Sequence, residues 1–69
     1  MKISARNQWS GKVRNLVKGP VSTEVTIGVA KGVDVVAVIS TQSAEALKLK
    51  VGKKATALVK ASSVLVATE

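Results

Sequence analysis

The 69-residue sequence predicts a small all-β protein, a five-stranded Greek-key barrel with one short helix between the third and fourth strands. Apolar and polar residues alternate strictly from 21 to 29, which is the period of a half-buried strand. Turn-forming residues at 18–20 and 30–32 separate this stretch from its neighbours. Val and Ala supply most of the apolar residues and Trp9 is the sole aromatic one, a composition rich in β-branched side chains that suit strands.

The first three strands follow in chain order. Residues 9–17 alternate loosely and are predicted as the first strand, and 21–29 form the second, with every second residue from Val21 on its buried face. Residues 33–39 form the third and are apolar on both faces after Asp34. A strand that is apolar on both faces is buried on both, which in so small a protein indicates a subunit interface.

A short helix and two more strands complete the prediction. Residues 40–43 include good N-cap residues and 44–47 favour helix, so we expect a helix of about two turns. Residues 55–60 and 64–67 are predicted as the fourth and fifth strands, separated by 61–63. Short strands joined by tight turns in one domain suggest an OB-like barrel, of the oligonucleotide/oligosaccharide-binding type, over residues 1–69.

The composition predicts a homo-oligomer. A chain of this length has a marginal core and is usually stabilised by disulfides, a metal or self-association. The sequence has no Cys and no His, which excludes disulfides and removes the commonest zinc and copper ligands. Self-association is the option that remains.

The charge balance predicts an anionic partner and a binding function. The formal net charge is +7, from 11 Lys and Arg against four acids. The acids are scattered and no nucleophile can be activated by a His, so we expect a protein that is not an enzyme. No targeting segment and no run of about 18 apolar residues is visible, so we expect a cytoplasmic location and no membrane partner.

Three short segments are rich in hydrogen-bond donors. They are Ser4-Ala5-Arg6-Asn7, Lys60-Ala61-Ser62-Ser63 and Ser40-Thr41-Gln42-Ser43. A tetrahedral dianion presents only acceptors, and Arg, Lys and hydroxyl groups supply matching donors, while small residues let backbone N–H groups approach. The spacing alone also allows ordinary basic loops.

The residues from Ile3 to Val13, Ile-Ser-Ala-Arg-Asn-Gln-Trp-Ser-Gly-Lys-Val, resemble the start of the molbindin or Mop (molybdopterin-binding protein) family, a molybdate-binding TOBE-like domain. The resemblance continues through 19–25, 38–43 and 57–64 and so covers essentially the whole chain. It implies an OB-like fold, a hexamer built as a trimer of dimers, and molybdate or tungstate bound at subunit interfaces, with no catalytic cofactor. Family members often carry Asp where this sequence has Ser63.

The resemblance also implies a set of site residues. Ser4, Ala5 and Arg6 would line the oxyanion site, and Lys60 and Ala61 would complete it from a neighbouring subunit. Two further hydroxyl residues would join them from the third segment, namely Ser40 and Ser43. Ser22 and Thr23 are candidates for a second site near a three-fold axis. Trp9 is predicted to be a core or interface residue, which leaves no evident stacking platform for a pterin.

The sequence is compatible with three functions. The first is oxyanion binding for intracellular molybdenum storage and homeostasis. The alternative is a nucleic-acid-binding OB-type barrel, which the charge allows but which normally stacks bases on several aromatic residues. The third is a structural oligomer whose basic loops bind nothing specific.

Overall fold

A computed structural model describes residues 2–69 as one curled antiparallel sheet with a short helix. The elements in chain order are β1 (Asn7–Lys18), β2 (Ser22–Ala30), β3 (Val33–Ser40), α1 (Thr41–Ala46), β4 (Lys54–Val59) and a 3₁₀ turn (Ala61–Ser63). The predictions of an all-β, OB-like fold and of one helix between the third and fourth strands are confirmed. No helix among the described residues is long and apolar enough to cross a membrane.

The strands are arranged as a Greek key. Their spatial order is β3-β2-β1-β4, so three consecutive strands form a meander and the fourth returns to pair with the first. The two halves of β1 have different partners, because residues 7–12 pair with β4 and residues 12–18 pair with β2. A register shift between Val13 and Asn15 interrupts the β1–β2 ladder, and such bulges bend a strand.

The small core lies on the inner face of the curled sheet. Apolar and polar residues alternate along β2, so the apolar side chains of this strand share that inner face. Val25 and Ile27 are buried there together with Val13 of β1 and Ala57 of β4. On the opposite face of β2, Glu24 is exposed and Thr26 is half-buried. The half-buried second strand is therefore confirmed from Thr23 onwards, whereas Val21 lies outside β2 and is 76% exposed.

The structure corrects the predicted strand count from five to four. Residues 64–67 belong to no sheet, and Leu65 and Val66 are 94% and 88% exposed. A strand needs a neighbour for its backbone hydrogen bonds, and within one chain this segment lies beside none. The barrel is also open, because an apolar cleft of about 970 Å³ lies between β3 and β4, the two ends of the sheet.

The third strand is not buried on both faces in a single chain. Val35, Ala37 and Ile39 are half-buried on the inner side, whereas Val36 and Val38 are 59% and 69% exposed on the other. The interface that the sequence predicts for this strand stays a prediction.

Candidate anion-binding site

Two of the predicted donor segments meet at one end of the sheet. Asn7 pairs with Val59 at the end of the β1–β4 ladder. Arg6 immediately precedes Asn7 and Lys60 immediately follows Val59, so the antiparallel register brings these two basic residues together. Segments that are far apart in sequence are therefore neighbours within a single chain, whereas the sequence predicted that Lys60 would come from another subunit.

Side-chain hydrogen bonds fix the backbone on the β1 side of this site. The Gln8 Nε2 atom donates to the Ala5 carbonyl oxygen at 2.7 Å. The Asn7 Nδ2 atom donates across the ladder to the Val59 carbonyl oxygen at 3.4 Å. Both amides hold the chain beside Arg6, and they are positioning residues that the sequence reasoning did not single out. The sequence does contain a signal for them, because the two amide residues Asn7 and Gln8 stand at the end of a donor-rich segment.

A turn fixes the other side of the site. Lys60 precedes the 3₁₀ turn, and the Ser63 N–H donates to the Lys60 carbonyl oxygen at 2.8 Å. Ser4, Arg6, Lys60 and Ala61 are exposed, and Ala5 is half-buried. The site is therefore an open surface of donors at the end of a rigid two-stranded ladder.

The basic residues of this site have no acidic partner among residues 2–69. The salt bridges there join Arg14 to Asp34 at 3.0 Å and Lys18 to Glu45 at 2.8 Å, and neither involves Arg6 or Lys60. The guanidinium and ammonium groups are free to bind an external anion. The same residues contain no cluster of three His, Cys, Asp or Glu side chains that could hold a metal cation.

The third donor segment lies at the opposite end of β1. Ser40 pairs with Ser22, and the adjacent Thr23 pairs with Lys18 at the far end of β1 from Arg6. A strand of 12 residues has a contour length of about 35–40 Å. Within one chain the structure thus does not bring Ser40 and Ser43 to the site of Arg6 and Lys60.

Ser40 and Ser43 instead join the two candidates for a second site. The Ser40 Oγ atom is the N-cap of α1, accepts from the Ser43 N–H at 3.0 Å and donates to Ser43 Oγ at 2.8 Å. The hydroxyl proton of Ser43 is left available, and the Ser22 side chain is exposed beside them. The helix start offers fewer free donors than predicted, because the Thr41 N–H already donates to the Val21 carbonyl oxygen at 2.8 Å.

Thr23 differs from its neighbours because it is completely buried. Its Oγ1 atom lies 2.8 Å from Thr41 Oγ1, which donates in turn to the Gly19 carbonyl oxygen at 2.6 Å. Each hydroxyl has one proton to donate. That of Thr41 is committed to Gly19, so Thr23 donates to Thr41 and has no proton left for a ligand.

The sequence was compared with known proteins. A family model described as TOBE domain matches residues 3–66. Molybdenum-pterin-binding protein 2 of Clostridium pasteurianum is 46% identical over 66 residues, which are 96% of this chain and 97% of the relative. The molybdenum transport protein ModE of Herbaspirillum seropedicae is 44% identical over 69 residues, or 100% of this chain, but the chain spans only 26% of that protein's length.

Two solved structures are similar over nearly the whole chain. MopII from Clostridium pasteurianum has a TM-score of 0.91 and 43% identity, covering 97% of this chain and 100% of its own. A molybdate-binding protein from Sporomusa ovata has a TM-score of 0.90 and 41% identity, covering 99% of this chain and 100% of its own. The chain therefore belongs to the Mop family of molybdenum-pterin-binding proteins, which is built on the TOBE domain.

Proposed function

We propose that this protein binds molybdate or tungstate at sites shared between the subunits of a homo-oligomer, for intracellular molybdenum storage and homeostasis. The observation that carries the proposal is that Arg6 and Lys60 flank the paired residues Asn7 and Val59 at the end of the β1–β4 ladder, and no acid among residues 2–69 is bound to either. The similarity to a molybdate-binding protein supports this choice of anion.

The chemistry of these residues suits a tetrahedral dianion. The Arg6 guanidinium offers a planar fork of N–H donors and the Lys60 ammonium offers a compact charge with three more. The Ser4 hydroxyl adds a donor that can rotate towards the ligand, and Ala5 and Ala61 leave room for the anion to approach the backbone. Charge-assisted hydrogen bonds of this kind are about twice as strong as neutral ones. The site needs no catalytic group and no resident cofactor, and we propose binding alone as its activity.

The positions of Ser40 and Ser43 support sharing between copies. They lie at the far end of β1 from Arg6, and one small anion cannot contact both ends of that strand. If these hydroxyl groups join the site of Arg6 and Lys60, they come from another copy. A hexamer, as a trimer of dimers, stays a prediction.

The two candidates for a second site, Ser22 and Thr23, differ in whether their hydroxyl groups can reach a ligand. The Ser22 hydroxyl is exposed beside Ser40 and Ser43, whereas the Thr23 hydroxyl is buried and committed to Thr41. We propose that Ser22 carries any contact with an anion there and that Thr23 holds the strand and the helix together.

Titration calorimetry with molybdate, tungstate, sulfate and a short single-stranded oligonucleotide tests the function. We expect heat from molybdate or tungstate and little from sulfate. Hydrogen bonds to charged groups contribute about 1.5–3 kcal/mol each. Arg6→Ala and Lys60→Ala should therefore each weaken oxyanion binding by roughly tenfold or more.

The matched control is Lys31→Ala, which removes the same charge from the exposed turn between β2 and β3. It should bind the oxyanion as the wild type does. If Arg6→Ala and Lys60→Ala also bind normally, the site is wrongly assigned. Oligonucleotide binding that collapses with added salt, with no molybdate heat, would favour the nucleic-acid-binding barrel instead. That alternative has only Trp9 for base stacking.

A further inference from the structure

Two lysines face each other across the β1–β4 ladder, away from Arg6 and Lys60. Lys12 pairs directly with Lys54, and both side chains are exposed. Directly opposite residues of an antiparallel pair have Cβ atoms about 4.5–5.5 Å apart, and like charges at such positions destabilise the sheet. The pair therefore lowers the stability of the chain as long as no negative charge lies beside it.

Strand alternation places this pair on the outer face of the sheet, next to two hydroxyl groups. Ala57 is buried in the core, so the adjacent Thr56 points to the opposite, outer face. Thr56 pairs with Ser10, and their hydroxyl oxygens are 3.3 Å apart. Lys12 and Lys54 are two residues further along their strands and share this face, about 7 Å away. We call these four residues the outer-face cluster: Ser10, Lys12, Lys54 and Thr56.

No acidic side chain among residues 2–69 neutralises the two lysines. The salt bridges within that range include neither of them. Asp34 lies in the same row of the sheet, because Gly28 pairs with it on one side and with Lys12 on the other. Both Asp34 carboxylate oxygens accept from Arg14 Nη1, at 3.0 and 3.1 Å, so this acid is already paired. The two ammonium groups are therefore available to an external anion.

We propose that the outer-face cluster is a second anion site, which binds the phosphate group of a phosphate monoester. Each ammonium group has three N–H donors on a flexible stem, so Lys12 and Lys54 can converge on one anion above the ladder. The bond between the Ser10 and Thr56 hydroxyl groups uses one of their two protons, and the other is available to the ligand. A phosphate dianion supplies matching acceptors and cancels the repulsion between the lysines.

The open geometry of the cluster favours a phosphate that is attached to a larger group. Ser10, Lys12 and Lys54 are exposed and Thr56 is half-buried, so the four side chains contact a ligand from the sheet side only. A substituent on the oxygen that faces solvent meets no obstruction from them. The backbone below is held in place, because the Val13 N–H donates to the Lys53 carbonyl oxygen at 2.9 Å where β4 begins.

The cluster is independent of the site at Arg6 and Lys60. Six residues of extended chain separate Arg6 from Lys12, which corresponds to about 20 Å. One phosphate group therefore occupies the outer-face cluster without contacting the other site. Arg6→Ala should weaken oxyanion binding at its own site and leave phosphate binding at the cluster unchanged, so failure of one assignment does not imply failure of the other.

Nuclear magnetic resonance titration of the isotope-labelled full-length protein with methyl phosphate tests the site. We expect saturable shifts of the backbone amide signals of the outer-face cluster. Lys54→Glu should raise the dissociation constant by roughly fivefold or more, as expected for the loss of an exposed ion pair. Lys31→Glu makes the same change of charge on the exposed turn between β2 and β3 and should bind as the wild type does. Equal affinity of Lys54→Glu and the wild type, or shifts confined to the surroundings of Arg6 and Lys60, would overturn the proposal.

Inorganic phosphate distinguishes an ester from the free ion as the ligand. At a pH where both are dianions, methyl phosphate should bind at least as tightly as inorganic phosphate, because its methyl group points to solvent. A methyl phosphate affinity that is lower by fivefold or more would mean an enclosed site for the free ion and would contradict the ester assignment.

The melting temperature provides a second readout, compared at one protein concentration. Lys54→Glu replaces repulsion by attraction across the ladder, so it should raise the melting temperature at low ionic strength, and by more than Lys54→Gln or Lys31→Glu does. Added sodium chloride should reduce this gain by screening. Methyl phosphate should raise the melting temperature of the wild type but not that of Lys54→Glu. An unchanged or lower melting temperature of Lys54→Glu at low salt would show that the two ammonium groups do not interact, and the site would be wrong.

Discussion

Thr23 and Thr41 form a buried pair of hydroxyl groups that connects β2 to the start of α1. Thr23 is 0% exposed and Thr41 is 8% exposed. The Thr23 hydroxyl is hydrogen-bonded to the Thr41 hydroxyl, which donates in turn to the Gly19 carbonyl oxygen. Among the described residues, no buried side-chain nitrogen or oxygen lacks a hydrogen-bond partner. Replacing Thr41 by Val keeps the shape of the side chain but leaves the Thr23 hydroxyl without its acceptor.

The expected loss of stability follows from the two hydrogen bonds. Each contributes about 1 kcal/mol net, and a buried donor left without a partner costs about 1–3 kcal/mol. Thr41→Val should therefore lower the free energy of unfolding by about 2–3 kcal/mol. Thr23→Val removes one bond and leaves Thr41 bonded to Gly19, so it should cost about 1 kcal/mol. The double variant has no orphaned donor, so its loss should fall short of the sum by about 1 kcal/mol.

Urea unfolding, followed by the fluorescence of the sole tryptophan, Trp9, measures these losses. All variants must be compared at one protein concentration, because association raises apparent stability. Thr41→Ser keeps the hydroxyl and removes only a methyl group, so it should be clearly more stable than Thr41→Val. Equal losses for the two variants, or strict additivity of the two valine substitutions, would show that the hydroxyl pair does not stabilise the fold.

Two further predictions concern the backbone. A Cβ atom on Gly11 would overlap the Gly28 carbonyl oxygen and lie 2.8 Å from its carbon. Gly11→Ala should therefore cost about 2–3 kcal/mol in urea unfolding, more than Gly28→Ala, whose Cβ overlaps the movable Arg14 side chain and makes an ordinary contact with Asp34. An equal cost for both would contradict this reasoning. Lys48 follows Leu47, the C-cap of α1, and has φ 55°, in the left-handed region that favours glycine. Lys48→Gly should stabilise the chain by about 0.5–1 kcal/mol in thermal unfolding, whereas Lys50→Gly should not, and a loss at Lys48 would refute the assignment.

The local features of the fold could be predicted because they depend on neighbouring residues. Alternation alone placed Val25 and Ile27 inside the sheet, and a hydroxyl residue before a helix-forming stretch located the N-cap at Ser40. The prediction of a fifth strand at residues 64–67 was wrong, because the composition of a segment does not show which partner strand lies beside it.

The site could be predicted only in part for the same reason. The chemistry of Arg6 and Lys60 is visible in the sequence, but their meeting within one chain follows from the β1–β4 register. Likewise, no local pattern shows that Ser40 lies at the far end of β1, or that the Thr23 hydroxyl is committed to Thr41. Spacing identifies donors, whereas register and burial decide which donors can reach a common ligand.

The open cleft and the divided donor set have a common physical origin in the shortness of the chain. Four strands are too few to close the curl, so apolar edges remain exposed at β3 and β4. The same sheet holds Arg6 and Ser40 at opposite ends of β1, so its donors cannot converge on one small anion without another copy. Association and oxyanion binding should then be coupled by mass action, so that added molybdate shifts the dimer equilibrium of the wild type but not that of Arg6→Ala.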